Sequence, residues 1–286
     1  MEIVQFIPQY QRRLVFLASQ ADSAPVLVYG PNGSGKSALA QWIHNNSQRS
    51  TLPYVIAKKD IPLSEQIPTA HGGTFLLPEI GEWPLAEQKI LSRLLETKAI
   101  PHPQHNSMSM VLNVRLMATT SQALEGRAQA GLFNFEFLQK LNVFRIEMPP
   151  LHKRTDEFTE IVIGLTQEIT HELHKEHIRT LSNSVWEKLK SYDWPGNLRE
   201  LRNVLRVAIV SAKDDQLEES DLPDFGHHRV DFRKTREEFE KVYLLELLKT
   251  FDWQIETTCK VSRIDKNTLL SKMQKYGIFK PGVSVP

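Results

Sequence analysis

The sequence predicts an α/β fold, a parallel sheet covered by helices, followed by helical units. Three observations predict it. Short apolar runs alternate with stretches of helical periodicity through the first half, the pattern of a parallel sheet covered on both faces. A glycine-rich segment, Gly30-Pro31-Asn32-Gly33-Ser34-Gly35-Lys36-Ser37, stands between one such run and a helix. After Pro149-Pro150 the strand signal disappears.

Taken in order, Val26–Tyr29 is an apolar run bounded by Pro25 and Gly30, a buried strand. Ser37–His44 reads as a helix with Leu39, Ala40 and Ile43 on one face. Tyr54–Ile56, Thr74–Leu77 and Arg115–Thr119 read as further strands, and Trp83–Lys98 as a helix. Beyond residue 150, Asp156–His177, Ser184–Lys190 and Leu198–Lys213 read as helices and Pro223–Val230 as a linker. Glu237–Lys249, Ile255–Val261 and Lys266–Tyr276 complete the chain, the last with Asp265 as N-cap, Gly277 as stop, and Leu269, Leu270 and Met273 facing inward. The expected organisation is therefore 1–150 for an α/β subdomain, 151–225 for a helical subdomain and 231–286 for a C-terminal helical domain.

Composition narrows the class. The 286 residues suggest two domains by length alone, and 41% hydrophobic with 24% charged residues is ordinary globular composition, not disordered or fibrous. One cysteine, Cys259, excludes an internal disulfide and a multi-cysteine zinc site; its place on an amphipathic helix makes it a small core residue. Without a signal peptide or a membrane-length apolar run, a soluble cytoplasmic protein is expected. His171, His174 and His177 drift around a helix among Glu168, Glu172 and Glu176, a solvated face rather than a metal site. Trp42, Trp83 and Trp186 are read as packing groups. The net charge of +1 hides an asymmetry: residues 254–286 hold six basic and two acidic residues, +4, which leaves −3 for residues 1–253.

The segment from Gly30 to Ser37 fits G-x-x-x-x-G-K-[ST] in the strand-to-helix context that a phosphate-binding loop requires. Its glycines let backbone N–H groups turn toward phosphate oxygens at a helix N-terminus. Lys36 reaches the β and γ phosphates and the Ser37 hydroxyl ligates Mg²⁺, so ATP and Mg²⁺ are the expected cofactors. At the end of the Thr74–Leu77 strand an acidic pair is expected; the residues there are Pro78 and Glu79. Glu79 is the candidate to orient an attacking water, while the carboxylate that helps hold Mg²⁺ is missing.

The segment His71–Glu82 resembles the second ATPase motif of bacterial enhancer-binding proteins, the AAA+ activators of RNA polymerase carrying sigma-54. Asn113–Thr120 is similar to their sensor I strand, Leu141–Ile146 and Met148–Leu151 also match, and Trp194-Pro195-Gly196-Asn197-Leu198-Arg199-Glu200-Leu201 resembles sensor II. The resemblance runs from about residue 8 to the C-terminus. It implies an AAA+ P-loop NTPase with a parallel sheet, a helical lid that brings Arg199 to the γ-phosphate, and dimers or hexamers.

The departures carry as much information. No Gly-Ala-Phe-Thr-Gly-Ala loop, the family's sigma-54 contact, occurs between Lys36 and Pro78; Lys58–Ser64 runs through its place. Where the resemblance implies arginines acting in trans, this chain has Asn134 and Lys140, and Lys lacks the planar fork of Arg. Such an arginine is worth about 10³–10⁵ in rate. Arg127 and Arg145 are the nearby substitutes. Ser121 stands at the usual sensor I asparagine.

Ile264–Gly277 resembles the Fis-type helix-turn-helix that ends this family, with Arg263 at the usual turn glycine. Arg263, Lys266, Asn267, Thr268, Ser271 and Lys272 are the candidate contacts to double-stranded promoter or enhancer DNA: Asn and Thr read base edges, Lys binds phosphate. Three functions are weighed: an ATP-binding, DNA-binding transcription regulator with weak or no hydrolysis; an active ATPase that remodels sigma-54 polymerase; and a subunit that restrains rings of an intact relative.

Overall fold

The computed structural model describes residues 3–101, 109–225, 232–262 and 264–278. These divide into two compact units, Met1–Ile161 and Val162–Pro286.

The first unit runs α1 (Arg12–Gln20), β1 (Val26–Tyr29), α2 (Lys36–Asn45), β2 (Tyr54–Ile56), the single turn α3 (Leu63–Gln66), β3 (Thr74–Leu77), α4 (Leu85–Thr97), β4 (Ala99–Pro101), β5 (Ser109–Val111), β6 (Arg115–Thr120), α5 (Leu124–Gln129), α6 (Phe135–Leu141) and β7 (Phe144–Glu147). Five strands form a parallel sheet in the order β2-β3-β6-β1-β7. The apolar runs are continuous because both faces are covered. Val26, Val28, Leu76, Met117 and Ile146 point to one side, with Leu39, Ala40 and Ile43 of α2 and Val15 and Ala18 of α1. Leu27, Phe75, Leu77, Leu116 and Ala118 point to the other, with Leu91 and Leu94 of α4 and Phe137, Leu138 and Leu141 of α6.

All strands expected in this half are present. The Trp83–Lys98 helix is shorter, because Pro84 serves as N-cap and Lys98 turns left-handed at the C-cap. The antiparallel β4–β5 pair was not legible: three residues per strand is too short for periodicity to register. The fully buried Arg115 at the start of β6 is accommodated by donating to the carbonyls of Ala18 and Ala24. Arg49, also buried, joins Asp22 to the carbonyls of Gly72 and Gly73 and to Asn113.

The helix α7 (Thr155–Glu172) carries the chain from the first unit into the second. The second unit continues with β8 (Thr180–Leu181), α8 (Asn183–Lys190), α9 (Asn197–Ser211), β9 (Gln216–Leu217), α10 (Phe232–Thr250), α11 (Ile255–Ser262) and α12 (Lys266–Tyr276). Three expectations are corrected here. The helix expected to reach His177 ends at Glu172, since His174 takes a left-handed φ of 55°; the three histidines therefore do not share a helix. The strand signal does not vanish, because β8 and β9 pair in parallel over two residues. Of the expected linker Pro223–Val230, Phe225 is buried against Tyr192 and Trp194, with ring centroids 5.5 and 5.4 Å apart; residues 226–230 lie outside the described residues.

Near the C-terminus, Leu244, Leu248, Leu269 and Ile278 form a small core, with Cys259 and Met273 packed against it. Asp265 caps α12 by accepting from the Thr268 amide at 2.9 Å, and Gly277 ends it in the left-handed region. Leu270, expected inward, is 44% exposed, because Leu269 takes the core position and the next residue is rotated by about 100°.

Candidate nucleotide site

The order β2-β3-β6-β1-β7 sets the site. Beyond β1, an interior strand, the chain leaves a parallel sheet at its carboxyl edge, where open α/β folds bind ligands. The loop from Gly30 to Gly35 follows β1, and α2 begins at Lys36. Gly33 and Gly35 adopt φ of 78° and 93°, conformations that an L side chain strains to reach. Gly30 is required sterically as well: a Cβ there would sit 2.0 Å from the Met148 carbonyl oxygen. Pro31 and Asn32 complete the turn.

Two side chains of the loop are drawn in. Lys36 is buried, its ammonium donating to the carbonyls of Gly30 at 2.8 Å and Pro31 at 3.0 Å. The Ser34 hydroxyl is buried and makes no hydrogen bond. Ser37, in the first turn of α2, is exposed. Left-handed glycines, an orphaned hydroxyl and a lysine at a helix N-terminus form a donor-rich cradle that suits a phosphate anion.

Glu79 and Ser121 reach the cradle from the carboxyl ends of β3 and β6. Glu79 occupies the left-handed region, with φ 46°. One of its carboxylate oxygens lies 3.3 Å from the Lys36 ammonium. The other accepts from the Ser121 amide at 2.6 Å and hydroxyl at 2.8 Å. The Glu79 amide donates to Thr119 Oγ1 at 3.2 Å. Lys36, Glu79 and Ser121, singled out on separate segments of the sequence, thus form one connected group. Thr119 was missed by sequence reading, because its place inside an apolar strand gave no polar signal.

The residues at the expected trans positions are occupied within the unit. Asn134 is the N-cap of α6, accepting from the Phe137 amide at 2.8 Å. Lys140 donates to Glu136 at 2.6 Å and Glu96 at 2.7 Å. Arg145 pairs with Glu125 and lies 4.6 Å from the Tyr29 ring centroid. Arg127 is half-buried, its Nε without a hydrogen bond.

Within the second unit, Arg199 is exposed in the first turn of α9. The preceding turn is held by Glu200, which is buried and accepts from the Gly196 amide at 2.7 Å and the Tyr192 hydroxyl at 3.1 Å. Burial and the Glu200 carboxylate push the Tyr192 phenol up to about 12. Trp194, left-handed at φ 52°, is buried and donates to the Leu189 carbonyl.

On α12, Lys266, Asn267, Thr268 and Ser271 are exposed as expected. Lys272 is not: it is half-buried and pairs with Glu240 of α10 at 2.9 Å, because its position turns toward the neighbouring helix. Arg263 lies outside the described residues.

A phosphate-binding loop after an interior strand of a parallel sheet, followed by a helical lid, defines an AAA+ P-loop NTPase fold. The sigma-54 interaction domain family matches residues 4–151, and the AAA+ ATPase lid domain matches residues 152–238. The chain belongs to the sigma-54 interaction domain family. Limonene hydroxylase of Geobacillus stearothermophilus is 34% identical over 241 residues, 74% of this chain and 44% of that protein. The alginate biosynthesis transcriptional regulatory protein AlgB of Pseudomonas aeruginosa is 27% identical over 290 residues, 90% of this chain and 63% of that one. The chain therefore spans about half to two thirds of these relatives. The crystal structure of NtrX from Brucella abortus in complex with ATP superposes with a TM-score of 0.64 at 24% identity, over 94% of this chain and 67% of that one, a likeness of fold. Among the described residues, no helix is long and apolar enough to cross a membrane, and no group of three His, Cys, Asp or Glu could hold a metal ion.

Proposed function

We propose that this protein is an ATP-binding transcription regulator that binds specific DNA sites and hydrolyses ATP weakly or not at all. The observation that carries the proposal is the site itself: an intact phosphate cradle stands beside a strand end with Pro78 where a Mg²⁺-holding carboxylate is needed. Gly30, Pro31, Asn32, Gly33, Ser34 and Gly35 would enclose the phosphates with backbone amides, and Ser34 would gain a partner. Lys36 would exchange its carbonyl contacts for phosphate oxygens. Ser37 would offer its hydroxyl oxygen to Mg²⁺, which when bound neutralises charge on the β and γ phosphates. Arg199 would meet the nucleotide from the lid, and Ser121 would act at the sensor I position.

Hydrolysis is disfavoured by the occupied trans positions. Asn134 has no charge to offer and is used as a cap; Lys140 is held by two glutamates. Without the Gly-Ala-Phe-Thr-Gly-Ala loop, direct remodelling of sigma-54 is not expected, and any contact with RNA polymerase is made by another surface. The relatives that are transcriptional regulators support the regulatory reading. The helix pair α11–α12 supports a Fis-type helix-turn-helix that binds double-stranded DNA as part of a homo-oligomer.

A second reading, an active ATPase, is favoured by Glu79, which is retained beside Lys36. One titration with ATP, reading binding and phosphate release together, separates them. Tight binding without turnover is the expected result. Robust phosphate release would favour the active enzyme, and absence of binding would overturn both.

A further inference from the structure

We infer that this protein phosphorylates itself: the Ser121 hydroxyl takes the γ-phosphoryl group of bound ATP, with Glu79 accepting the hydroxyl proton. The inference rests on the ATP-binding reading above and assigns that site a nucleophile other than water.

Ser121 follows the carboxyl end of β6 and is exposed at the sheet edge that carries the cradle. Its hydroxyl donates to one oxygen of Glu79 at 2.8 Å, and its amide donates to the same oxygen at 2.6 Å. The second oxygen of that carboxylate lies 3.3 Å from the Lys36 ammonium. A lysine at this position of a phosphate-binding loop grips the β and γ phosphates. One carboxylate therefore joins the Ser121 hydroxyl to the cation that would hold the γ-phosphoryl group. Glu79 is fixed in place under strain: it is left-handed at φ 46°, its amide donating to Thr119 Oγ1 at 3.2 Å. A non-glycine residue persists there only where its surroundings over-determine it, and such residues cluster at functional sites.

Among the described hydroxyls around the cradle, Ser121 is the one seated on a carboxylate. Ser34 is buried without a hydrogen bond. Thr119 is buried against the Glu79 amide, and Thr120 is buried and donates to the Gln122 carbonyl at 3.2 Å. A nucleophile and its base within 2.6–3.2 Å is the arrangement that activates a hydroxyl. Water that would use Glu79 as its base must displace that hydroxyl first, so the serine competes with water from inside the site.

The step balances with ATP as the sole co-reactant. Ser121 Oγ forms a bond to the γ-phosphorus. The bond from that phosphorus to the β,γ-bridging oxygen breaks, and its electron pair leaves with ADP. The hydroxyl proton passes to the Glu79 carboxylate and from there to water; nothing is oxidised or reduced. A carboxylate that accepts the proton of an attacking hydroxyl is the base that protein kinases use. Each chain holds one such serine, so the transfer ends after one turnover per chain. The phosphate stays on the protein, which fits a site with little steady phosphate release.

The test incubates the full chain with ATP and Mg²⁺ and follows its intact mass, while calorimetry reads ATP binding. A gain of one phosphoryl group, located on Ser121 by peptide fragmentation, is the expected result. Ser121→Ala should gain none, and Ser121→Thr, which keeps a hydroxyl, should retain part of the gain. Glu79→Gln should slow the gain by about a hundredfold. A second readout needs no turnover: Ser121→Asp sets a negative charge beside the γ-phosphoryl position and should weaken ATP severalfold more than ADP. ATP bound without a mass gain, phosphate located on another residue, or equal losses of affinity for ATP and ADP would overturn the inference while leaving ATP binding intact. Absence of ATP binding would overturn both.

Discussion

Lys36 and Glu79 meet across the cradle with an ammonium and a carboxylate 3.3 Å apart, so a change at either removes one contact of the other. Lys36→Ala is expected to lower ATP affinity by at least tenfold, read by isothermal titration, because it deletes the only cation in the loop. Gly30→Ala acts through backbone: its Cβ would meet the Met148 carbonyl oxygen at 2.0 Å, and neither partner is a side chain that can rotate away. A loss of about 2 kcal/mol or more is expected in urea unfolding. His44 gives a pH signature. Its ring is buried, 2.9 Å from the Thr74 hydroxyl. Burial first, then the guanidinium of Arg115, pulls it below its ordinary 6.5. Below that pH the unfolded chain takes the proton more readily than the folded one, so stability falls as pH drops from about 6.5 toward the folded value. The melting temperature should decline across that window, and His44→Gln should flatten this part of the decline.

At the scale of elements, caps decide where helices start. Asn134 stands where the family resemblance called for a trans-acting arginine, yet its carbonyl oxygen holds the Phe137 amide and opens α6. Asn134→Ala should cost about 1 kcal/mol in urea unfolding; a residue that served only in trans would leave unfolding of the isolated chain unchanged. Sequence reading assigned no helix there, although Asn followed by a short amphipathic run is a local start signal. The pairing of Lys140 with Glu96 was not legible, because the partners are 44 residues apart. The same holds for α12. Its limits, Asp265 cap and Gly277 stop follow from local rules and were read correctly. Which of its polar residues face outward depended on the neighbouring α10, whose Glu237 and Glu240 claim Lys275 and Lys272.

For the whole molecule, the phosphate cradle and the helical DNA-binding candidate lie in different units, and each unit has its own core. A ligand of the first unit stabilises the folded form by mass action: ATP at a hundred times its dissociation constant should add about 2.7 kcal/mol. A rise in the melting transition with ATP, absent in Lys36→Ala, checks this. The net charge of +1 conceals the +4 of residues 254–286. With Lys272 half-buried and paired to Glu240, the salt dependence of DNA binding should be shallower than those six cations suggest.

Sequence alone determined the alternation of parallel strands with helices, the phosphate loop with its strand and helix, the limits of α12 and the absence of the second acidic residue at Pro78. These follow from local rules of periodicity, glycine conformation and capping, which act over a few residues. Tertiary structure decided that Glu79 and Ser121 converge on Lys36, that Asn134 and Lys140 serve their own unit, and that Asn267, Ser271 and Gln274 rather than Lys272 face outward on α12. Each of these depends on which strand or helix lies alongside, a consequence of sheet order and helix packing that no window of sequence contains.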